Sequence, residues 1–511
     1  MPEGSKQSKG KRQKNPRILI VTPEITYLPP GMGNMANQMS AKAGGMADVS
    51  ASLVSALFEQ GADVHVALPH YRKMFHMDVG NLIDRELMKY KSVLSDSRIH
   101  LAQDRMFYYR DTVYSSYSED NPKLALAFQR EVINNIIPTV QPDLIHCNDW
   151  MTGLIPAAAR RLGIPCLFTV HNIHTQEVTL ERIENAGIDA AEFWNYLYYM
   201  RPPHNYEETR STNKIDMMAS GIFSSHYINT VSPQFLREIV SGMHAFVPPS
   251  IRREIQSKFE AGCAEGILNA PDANYDPSTD EFIPVRYDAS TQVEGRLAAK
   301  RALQDRLSLE RDDNAPILFW PSRLDPAQKG CQLFADILFK TVSKYWKNNL
   351  QVVIVANGSY QRVFSDIVNF HGIHGRVAVA DFDEGLSRIA YAGSDFLLMP
   401  SLFEPCGLPQ MVGALYGCLP IAHDTGGLHD TVDHLDAAHS KGNGFVFKDY
   451  DSGALAWGID EAMRFFKLPK QERNRQVTRI MTESAERFTH RVCAAAYMDM
   501  YEGMLHRPLI V

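Results

Sequence analysis

The chain has 511 residues, which is too long for one compact core, so two domains are predicted. A hydrophobic share of 45%, a charged share of 22% and a net charge of −7 describe a globular protein and argue against general binding of nucleic acid. The seven cysteines are scattered and never form C-x-x-C, which argues against a disulfide framework or a zinc site and favours a reducing compartment.

Residues 1–16 are polar and basic and contain no apolar segment. This composition predicts a disordered basic tail rather than a signal peptide. No apolar run is long enough to span a bilayer, so we expect a cytoplasmic protein without membrane contact.

The first ordered elements predict a βαβ unit. The strand "RILIVT" is followed by a long loop over 23–41, by a helix with apolar residues at Met46, Val49, Leu53 and Leu57, and by the strand "DVHVALP". Strand, helix and strand in this order indicate a right-handed crossover in a parallel sheet. The loop is longer than such connections usually are, which favours a binding role.

The same alternation continues along the chain. The strands "PDLIHCND", "CLFTVHN" and "YINTVSP" follow, and the scheme starts again at "PILFWPSRL", "LQVVIVANG", "RVAVADF" and "DFLLMPS". The sequence therefore predicts an α/β protein with two doubly wound Rossmann-like domains facing a central cleft. The N-terminal domain is predicted at 17–265 and the C-terminal domain at 266–487, with the linker in "EGILNAPDANYDPSTDEF".

Unusual residues cluster at the carboxyl ends of these strands, where open parallel sheets bind ligands. They are Lys42, Gly44, Gly45, Asn148, Asp149, His171, Arg323, Lys329, Phe382, Glu404, Gly407, Thr425, Gly426 and Gly427. If the two domains face each other, these residues converge on one cleft.

The residue types indicate an anion site. Backbone amides at the start of a helix bind anions, and Gly44–Gly45 and Gly407–Leu408 both stand at such positions. Arg323 and Lys329 add positive charge. Together these groups suit a pyrophosphate leaving group, whose charge develops as its bond to a sugar breaks. Glu404, on the turn between a strand and a helix, is suited to bind sugar hydroxyls or to face a cationic anomeric carbon.

Each feature alone has a simpler interpretation. Glycine pairs are usually turns, Glu404 alone is as well explained as a helix cap, and Cys406 is more typical of packing than of a nucleophile. The segments "HNIH" and "HGIH" lack a carboxylate or thiol to complete a metal site, so no metal is predicted. Because so many polar and glycine-rich elements lie at strand ends, we favour the interpretation that together they form a binding site.

Eight motifs occur in the order found in bacterial glycogen synthases and plant starch synthases: "KAGGMADV", "HCNDW", "TVHN", "VSP", "GILN", "SRLDPAQKG", "PSLFEPCGLPQ" and "DTGGLHDTV". The chain resembles this family from about Arg17 to its C-terminal helix. The resemblance implies a two-Rossmann glycosyltransferase of the B type, which transfers glucose with retention from ADP-glucose or UDP-glucose to the non-reducing end of an α-1,4-glucan. It also implies no metal or other cofactor, and a C-terminal helix at 488–511 that packs back on the first domain.

The resemblance assigns the site residues to two sets. The donor-binding set is Lys42, Gly44, Gly45, Asn269 at the hinge, Arg323, Lys329, Phe382 against the nucleobase, Cys406, Gly407, Leu408 and Thr425. The catalytic set is Asp149, His171 and Glu404 around the transferred glucose, with Arg323 and Lys329 on the leaving phosphates.

Departures from the family pattern leave alternatives open. Ala43 and Met46 stand where the family has Thr and Leu, the segments 174–177 and 270–272 differ, and Val412 takes the place of a second acid found in related families. A small non-polymer acceptor is therefore a second hypothesis, and a non-catalytic glucan-binding protein is a third. The sequence leaves open the choice between ADP-glucose and UDP-glucose, homo-oligomer formation and regulation.

Overall fold

The computed structural model describes residues 14–33, 36, 39–75 and 98–510. The chain forms two compact units, one of Met1–Ile228 with Ala494–Val511 and one of Asn229–Cys493. Within the second unit, the helix Pro233–Ser241 packs against the helix Gly426–Thr431. The amide of Gln234 donates to Asp430 Oδ2 at 2.9 Å across this contact.

The first unit is built on a parallel sheet. Its strands are β1 Arg17–Val21, β2 Asp63–Pro69, β3 Ile99–Ala102, β4 Leu144–Asn148 and β5 Cys166–Val170, with the short antiparallel pair β6 Glu177–Val178 and β7 Ile215–Asp216, and β8 Tyr227–Thr230 at the boundary of the unit. Its helices are α1 Gly45–Glu59, α2 Arg105–Tyr108, α3 Asn121–Glu131, α4 Ile137–Val140, α5 Ile155–Arg161, α6 Leu180–Asn185, α7 Tyr206–Thr212 and α8 Met217–Ser224. The strands of this unit lie in the sheet in the order β3-β2-β1-β4-β5-β8, in which β1 to β5 pair in parallel.

The second unit repeats this plan. Its strands are β9 Ala264–Gly266, β10 Ile317–Trp320, β11 Gln351–Val355, β12 Val377–Ala380, β13 Phe396–Met399, β14 Leu419–His423 and β15 Phe445–Phe447. Its helices are α9 Pro233–Ser241, α10 Pro249–Glu260, α11 Gln292–Arg306, α12 Cys331–Lys344, α13 Gln361–His371, α14 Glu384–Gly393, α15 Pro409–Tyr416, α16 Gly426–Thr431, α17 Ser452–Phe466 and α18 Lys470–Arg487. The parallel sheet has the order β12-β11-β10-β13-β14-β15.

The central strands are buried on both faces, as a parallel sheet covered by helices requires. Along β10, Leu318 and Trp320 belong to one hydrophobic cluster, whereas Ile317 and Phe319 belong to a second cluster. Because side chains alternate along a strand, these clusters lie on opposite faces of the sheet. The prediction of two doubly wound α/β domains is confirmed.

The last helix, α19 His490–Leu505, begins in the second unit and ends in the first. The hydroxyl of Tyr501 is hydrogen-bonded to His146 Nδ1 on β4 at 2.7 Å, and His146 Nε2 is hydrogen-bonded to Thr169 Oγ1 on β5 at 2.6 Å. Arg507 adds a 2.6 Å ion pair with Asp143. Across the described residues, no helix has the length and apolar character needed to cross a membrane.

Candidate functional site

In the first unit, the loop before α1 carries a buried carboxylate that sequence reasoning missed. Oε2 of Glu24 accepts hydrogen bonds from the amides of Ala43 at 2.6 Å and Gly44 at 2.9 Å. Burial raises the pKa of Glu24, although these two hydrogen bonds oppose the rise. Two amides of the "KAGG" loop are therefore already held by an internal acid.

Lys42 is bound within its own loop and remains partly exposed. Its Nζ lies 2.8 Å from Oδ2 of Asp48, in the first turn of α1, and its side chain is 50% exposed. The acid holds the ammonium group near the start of the helix while leaving half of the side chain open to a ligand.

The fold does not require a glycine at position 44. Its φ of −155° is extended backbone that any residue adopts, and a Cβ built there has no heavy atom within 4 Å. Gly45 follows as the first residue of α1. The space beside Gly44 is open, which is what close approach of a ligand to the backbone would need.

Asp149 and His171 lie together at the ends of β4 and β5. Oδ1 of Asp149 accepts a hydrogen bond from the amide of His171 at 2.8 Å. The side-chain amide of Asn148 donates to Val21 O at 3.1 Å, so its Oδ1, 2.8 Å from His171 Nε2, faces the ring as an acceptor. Nε2 of His171 therefore carries the hydrogen, and Nδ1 is left as an acceptor.

Burial sets the charge of both groups. It lowers the pKa of His171 to about 3, so the imidazole is neutral at neutral pH. It raises the pKa of Asp149 to about 7, against the lowering effect of hydrogen bonds from the amides of His171 and Asn172. Asp149 also has a φ of 57°, a left-handed conformation that is uncommon for a residue other than glycine and often marks a functional site.

In the second unit, Glu404 follows β13 and is nearly buried. Its Oε2 accepts from Lys329 Nζ at 2.6 Å and from Ser401 Oγ at 3.0 Å. Oε1 has no hydrogen-bond partner among the described residues. One oxygen of the acid is therefore fixed by a lysine and a hydroxyl, while the other is free to receive a ligand.

The turn after Glu404 presents backbone amides. Gly407 has a φ of 71°, and a Cβ there would lie 2.6 Å from Gln410 Oε1, so the turn requires glycine. Nε2 of Gln410 donates to Gly407 O at 2.7 Å and holds the turn from behind. In the described part of the chain, the amides of Gly407 and Leu408 donate to no acceptor, and α15 begins directly after them. Backbone amides at the start of a helix can bind an anion, so the prediction that Gly407 and Leu408 contact a phosphate stays a prediction.

Arg323 and Phe382 are exposed on neighbouring loops. Arg323 forms no ion pair or hydrogen bond with any described residue, and Phe382 is 52% exposed. Asn357 joins their loops, since its side chain accepts from the amide of Phe382 and its carbonyl accepts from the amide of Leu324, both at 2.9 Å. The unpaired guanidinium of Arg323 and the ring of Phe382 therefore lie on two loops that are both hydrogen-bonded to Asn357.

The "TGGL" segment has a packing role that sequence reasoning did not foresee. A Cβ on Gly426 would lie 2.0 Å from Glu404 O, and a Cβ on Gly427 would lie 1.9 Å from Cys406 O. Gly427 donates its amide to Glu404 O at 2.9 Å. The two glycines therefore let α16 support the backbone of the Glu404 turn.

A second unforeseen acid, Glu238 on α9, caps this segment. It accepts from Thr425 Oγ1 at 3.1 Å, from the Gly426 amide at 2.8 Å and from His244 Nε2, also at 2.8 Å. Burial acts to raise the pKa of Glu238, but these hydrogen bonds outweigh it and lower the pKa. The hydroxyl of Thr425, which was predicted to contact the sugar-nucleotide donor, therefore already donates a hydrogen bond to Glu238.

Two remaining predicted residues are buried behind the Glu404 turn. The amide of Asn269 donates to the thiol of Cys406, whose pKa burial raises well above its usual range. Oδ1 of Asn269 is buried without a hydrogen-bond partner among the described residues. Among those residues, no group of three or more His, Cys, Asp and Glu side chains is arranged to hold a metal ion.

The comparisons with known proteins point to one family. Residues 17–269 match the family described as the starch synthase catalytic domain, and residues 303–476 match glycosyl transferases group 1. The chain is 31% identical to a glycogen synthase of Moorella thermoacetica over 96% of this chain and 97% of that protein. It is 33% identical to a glycogen synthase of Exiguobacterium sibiricum over 80% and 86% of the two chains.

Solved structures show the same fold. The catalytic domain of starch synthase IV from Arabidopsis thaliana, bound to ADP and acarbose, superposes with a TM-score of 0.75 at 23% identity, over 97% of this chain and all of that one. Sucrose-phosphate synthase from Thermosynechococcus elongatus gives a TM-score of 0.56 at 17% identity, over 96% and 99%. The predicted resemblance is confirmed: this chain belongs to the glycogen synthase family and is a glycosyltransferase.

Proposed function

We propose that this protein transfers glucose from ADP-glucose to the non-reducing end of an α-1,4-glucan with retention of configuration. The observation that carries this is the buried Lys329–Glu404 pair, 2.6 Å apart, on a turn that also offers the amides of Gly407 and Leu408. An anion site and a fixed carboxylate within one turn suit a sugar that is joined to a phosphate.

The second unit supplies the groups for the leaving nucleotide. The exposed Arg323, the ammonium of Lys329 and the two free amides stabilise the negative charge that develops on the distal phosphate as its bond to C1 of glucose breaks. Positive charge at this point is provided by side chains and amides, so the proposed reaction uses no metal. Glu404 Oε1 accepts a hydrogen bond from a hydroxyl of the transferred glucose.

The first unit supplies the groups for the sugar. The neutral imidazole of His171 offers hydrogen-bonding atoms for glucose hydroxyls. Asp149 does so too, with its Oδ1 held by a 2.8 Å hydrogen bond from the His171 amide. No enzyme nucleophile is needed. The 4-hydroxyl of the acceptor attacks C1 from the side of the leaving group, its proton passes to the departing phosphate oxygen, and the new C1–O bond forms as the old one breaks.

ADP-glucose is the first donor to test, because the Arabidopsis starch synthase IV structure was bound to ADP and acarbose. Labelled ADP-glucose and UDP-glucose are each incubated with a glycogen primer. We expect label in the polymer with ADP-glucose and much less with UDP-glucose. The absence of label in glycogen with either donor would overturn the proposal.

A small acceptor is a second candidate, favoured by one observation in the first unit. Thr175, Gln176 and Glu177, which depart from the family pattern, line a cavity of about 510 Å³ together with Arg182 and Lys214. A polar cavity of this size suits a mono- or disaccharide. Free sugars and sugar phosphates assayed beside glycogen separate the two, since a small-acceptor enzyme would leave glycogen unlabelled.

A further inference from the structure

An aromatic pair with no part in the site described above lies next to Glu404. The rings of Phe246 and Phe403 are 4.0 Å apart between centroids and tilted by 31°. Phe403 directly precedes Glu404, and Phe246 is 41% exposed. We call these two rings the aromatic platform.

The surroundings of the aromatic platform are also apolar and open to solvent. Met243, on the loop that carries Phe246, is 69% exposed, and Leu402, on the loop that carries Phe403, is 40% exposed. Single exposed apolar residues are common, but several of them on two loops whose rings are in contact, beside a polar site, indicate a binding surface.

Hydrogen bonds brace the platform against the Glu404 turn. His244 lies beside both rings, with centroids 5.2 Å from Phe246 and 6.0 Å from Phe403. Its Nε2 is 2.8 Å from Glu238 Oε2, and the other oxygen of Glu238 accepts from the Gly426 amide at 2.8 Å. The loop of Phe246 is therefore tied to α16, which itself supports the backbone of Glu404.

The chemistry of an α-1,4-glucan fits this surface. A glucose ring has a face of C–H groups, which packs on an aromatic ring, and a rim of hydroxyls, which remain in water or bind polar groups. A stable protein interface buries about 800 Å² on each partner, far more than a few side chains provide. The platform matches a sugar unit in size, and it adjoins the acid proposed to bind the transferred glucose.

We propose that Phe246 and Phe403 bind the acceptor glucan by stacking on a glucose ring next to Glu404. This inference rests on the proposed function and adds the residues that select a polymer as acceptor. It predicts that the platform contributes to acceptor binding and not to donor binding.

The test is Phe246→Ala in the full chain, with Phe246→Trp as the conservative variant. In Phe246→Ala we expect the KM for glycogen to rise about tenfold, which corresponds to the loss of about 1.4 kcal/mol of binding. The KM for ADP-glucose stays within about twofold of the wild type, and Phe246→Trp restores most of the glycogen affinity. Phe370→Ala is the matched control, because Phe370 is 85% exposed on α13 of the same unit.

A second measurement separates this inference from the proposed function. Migration of the wild type and Phe246→Ala through gels containing glycogen reports glucan binding without any reaction. Equal retardation of the two proteins, or an unchanged KM for glycogen, would overturn the aromatic platform even if the wild type synthesises glucan. If the wild type does not elongate glycogen, but glycogen in the gel slows the wild type and not Phe246→Ala, only the proposed function is overturned. Loss of self-association in Phe246→Ala with unchanged glucan binding would assign the rings to a protein contact and overturn the inference.

Discussion

Nζ of Lys329 lies 2.6 Å from Oε2 of Glu404, and the two side chains are only 10% and 8% exposed. Removing either partner leaves the other as an unpaired buried charge, which costs roughly 3–5 kcal/mol in comparable pairs. We therefore expect Lys329→Met and Glu404→Gln each to lower the melting temperature. The double variant has neither charge, so it recovers most of the lost stability.

Activity separates the structural role of this pair from its role in the reaction. Each variant loses at least one of the two charges proposed to act on the donor, so kcat falls roughly a hundredfold or more in all three, including the stable double variant. Thermal unfolding and initial rates on the same preparations test both parts. Wild-type turnover in the double variant would show that the pair serves only the fold.

Two glycines give opposite expectations for the same substitution. Gly44→Ala meets open space and a permitted φ, so the protein folds normally while the KM for the donor rises. Gly426→Ala places its Cβ 2.0 Å from Glu404 O at a φ of 46°, so it destabilises the protein. Circular dichroism melts and donor titrations of both variants make the comparison. A donor KM unchanged in Gly44→Ala would remove this loop from the donor site.

Arg323 forms no ion pair with any described residue, so its removal leaves the fold intact. We expect Arg323→Ala to weaken ADP binding roughly ten- to a hundredfold, since a hydrogen bond to a charged group is worth about 1.5–3 kcal/mol. Calorimetric titration with ADP measures this at unchanged melting temperature. Arg362→Ala is the matched control, because its side chain is 91% exposed and it makes the same change in charge. Equal ADP affinity in both variants would contradict the assignment.

The alternation of strands and helices and the location of the polar residues were predictable from the sequence. Buried parallel strands appear as continuous apolar runs, and the residues after them must lie at the carboxyl edge of the sheet. Lys329 and Glu404 were both placed at that edge, and the structure brings them into contact. The roles proposed for them in donor binding and catalysis stay predictions.

The two acids that hold the loops were not predictable, because their partners are remote in the sequence. Glu24 binds amides 19 and 20 residues away, and Glu238 binds an amide 188 residues away. Glu238 lies on an amphipathic helix, where a charged residue is usually solvated. "TGGL" resembles a ligand-binding turn in sequence, yet the closeness of Gly426 and Gly427 to backbone carbonyls can be seen only once the two chain segments are packed together.

Asp149 predicts a pH dependence of stability. Burial raises its pKa to about 7 from an ordinary value of 3.8, so the folded state holds this proton more tightly than the unfolded chain. Between about pH 4 and pH 7 the folded state therefore binds more protons at this site, and the free energy of unfolding falls as the pH rises. Above about pH 7 both states are ionised, and the loss is complete.

Asp149→Asn removes the ionisable group but keeps an oxygen to accept from the His171 amide. We therefore expect the melting temperature of the variant, relative to the wild type, to increase as the pH is raised from about 5 to about 8. Asp111→Asn is the control, since Asp111 is 71% exposed and the same substitution is made there without removing a buried group. A difference between Asp149→Asn and the wild type that is the same at both pH values would show that Asp149 is ionised throughout this range in the folded protein.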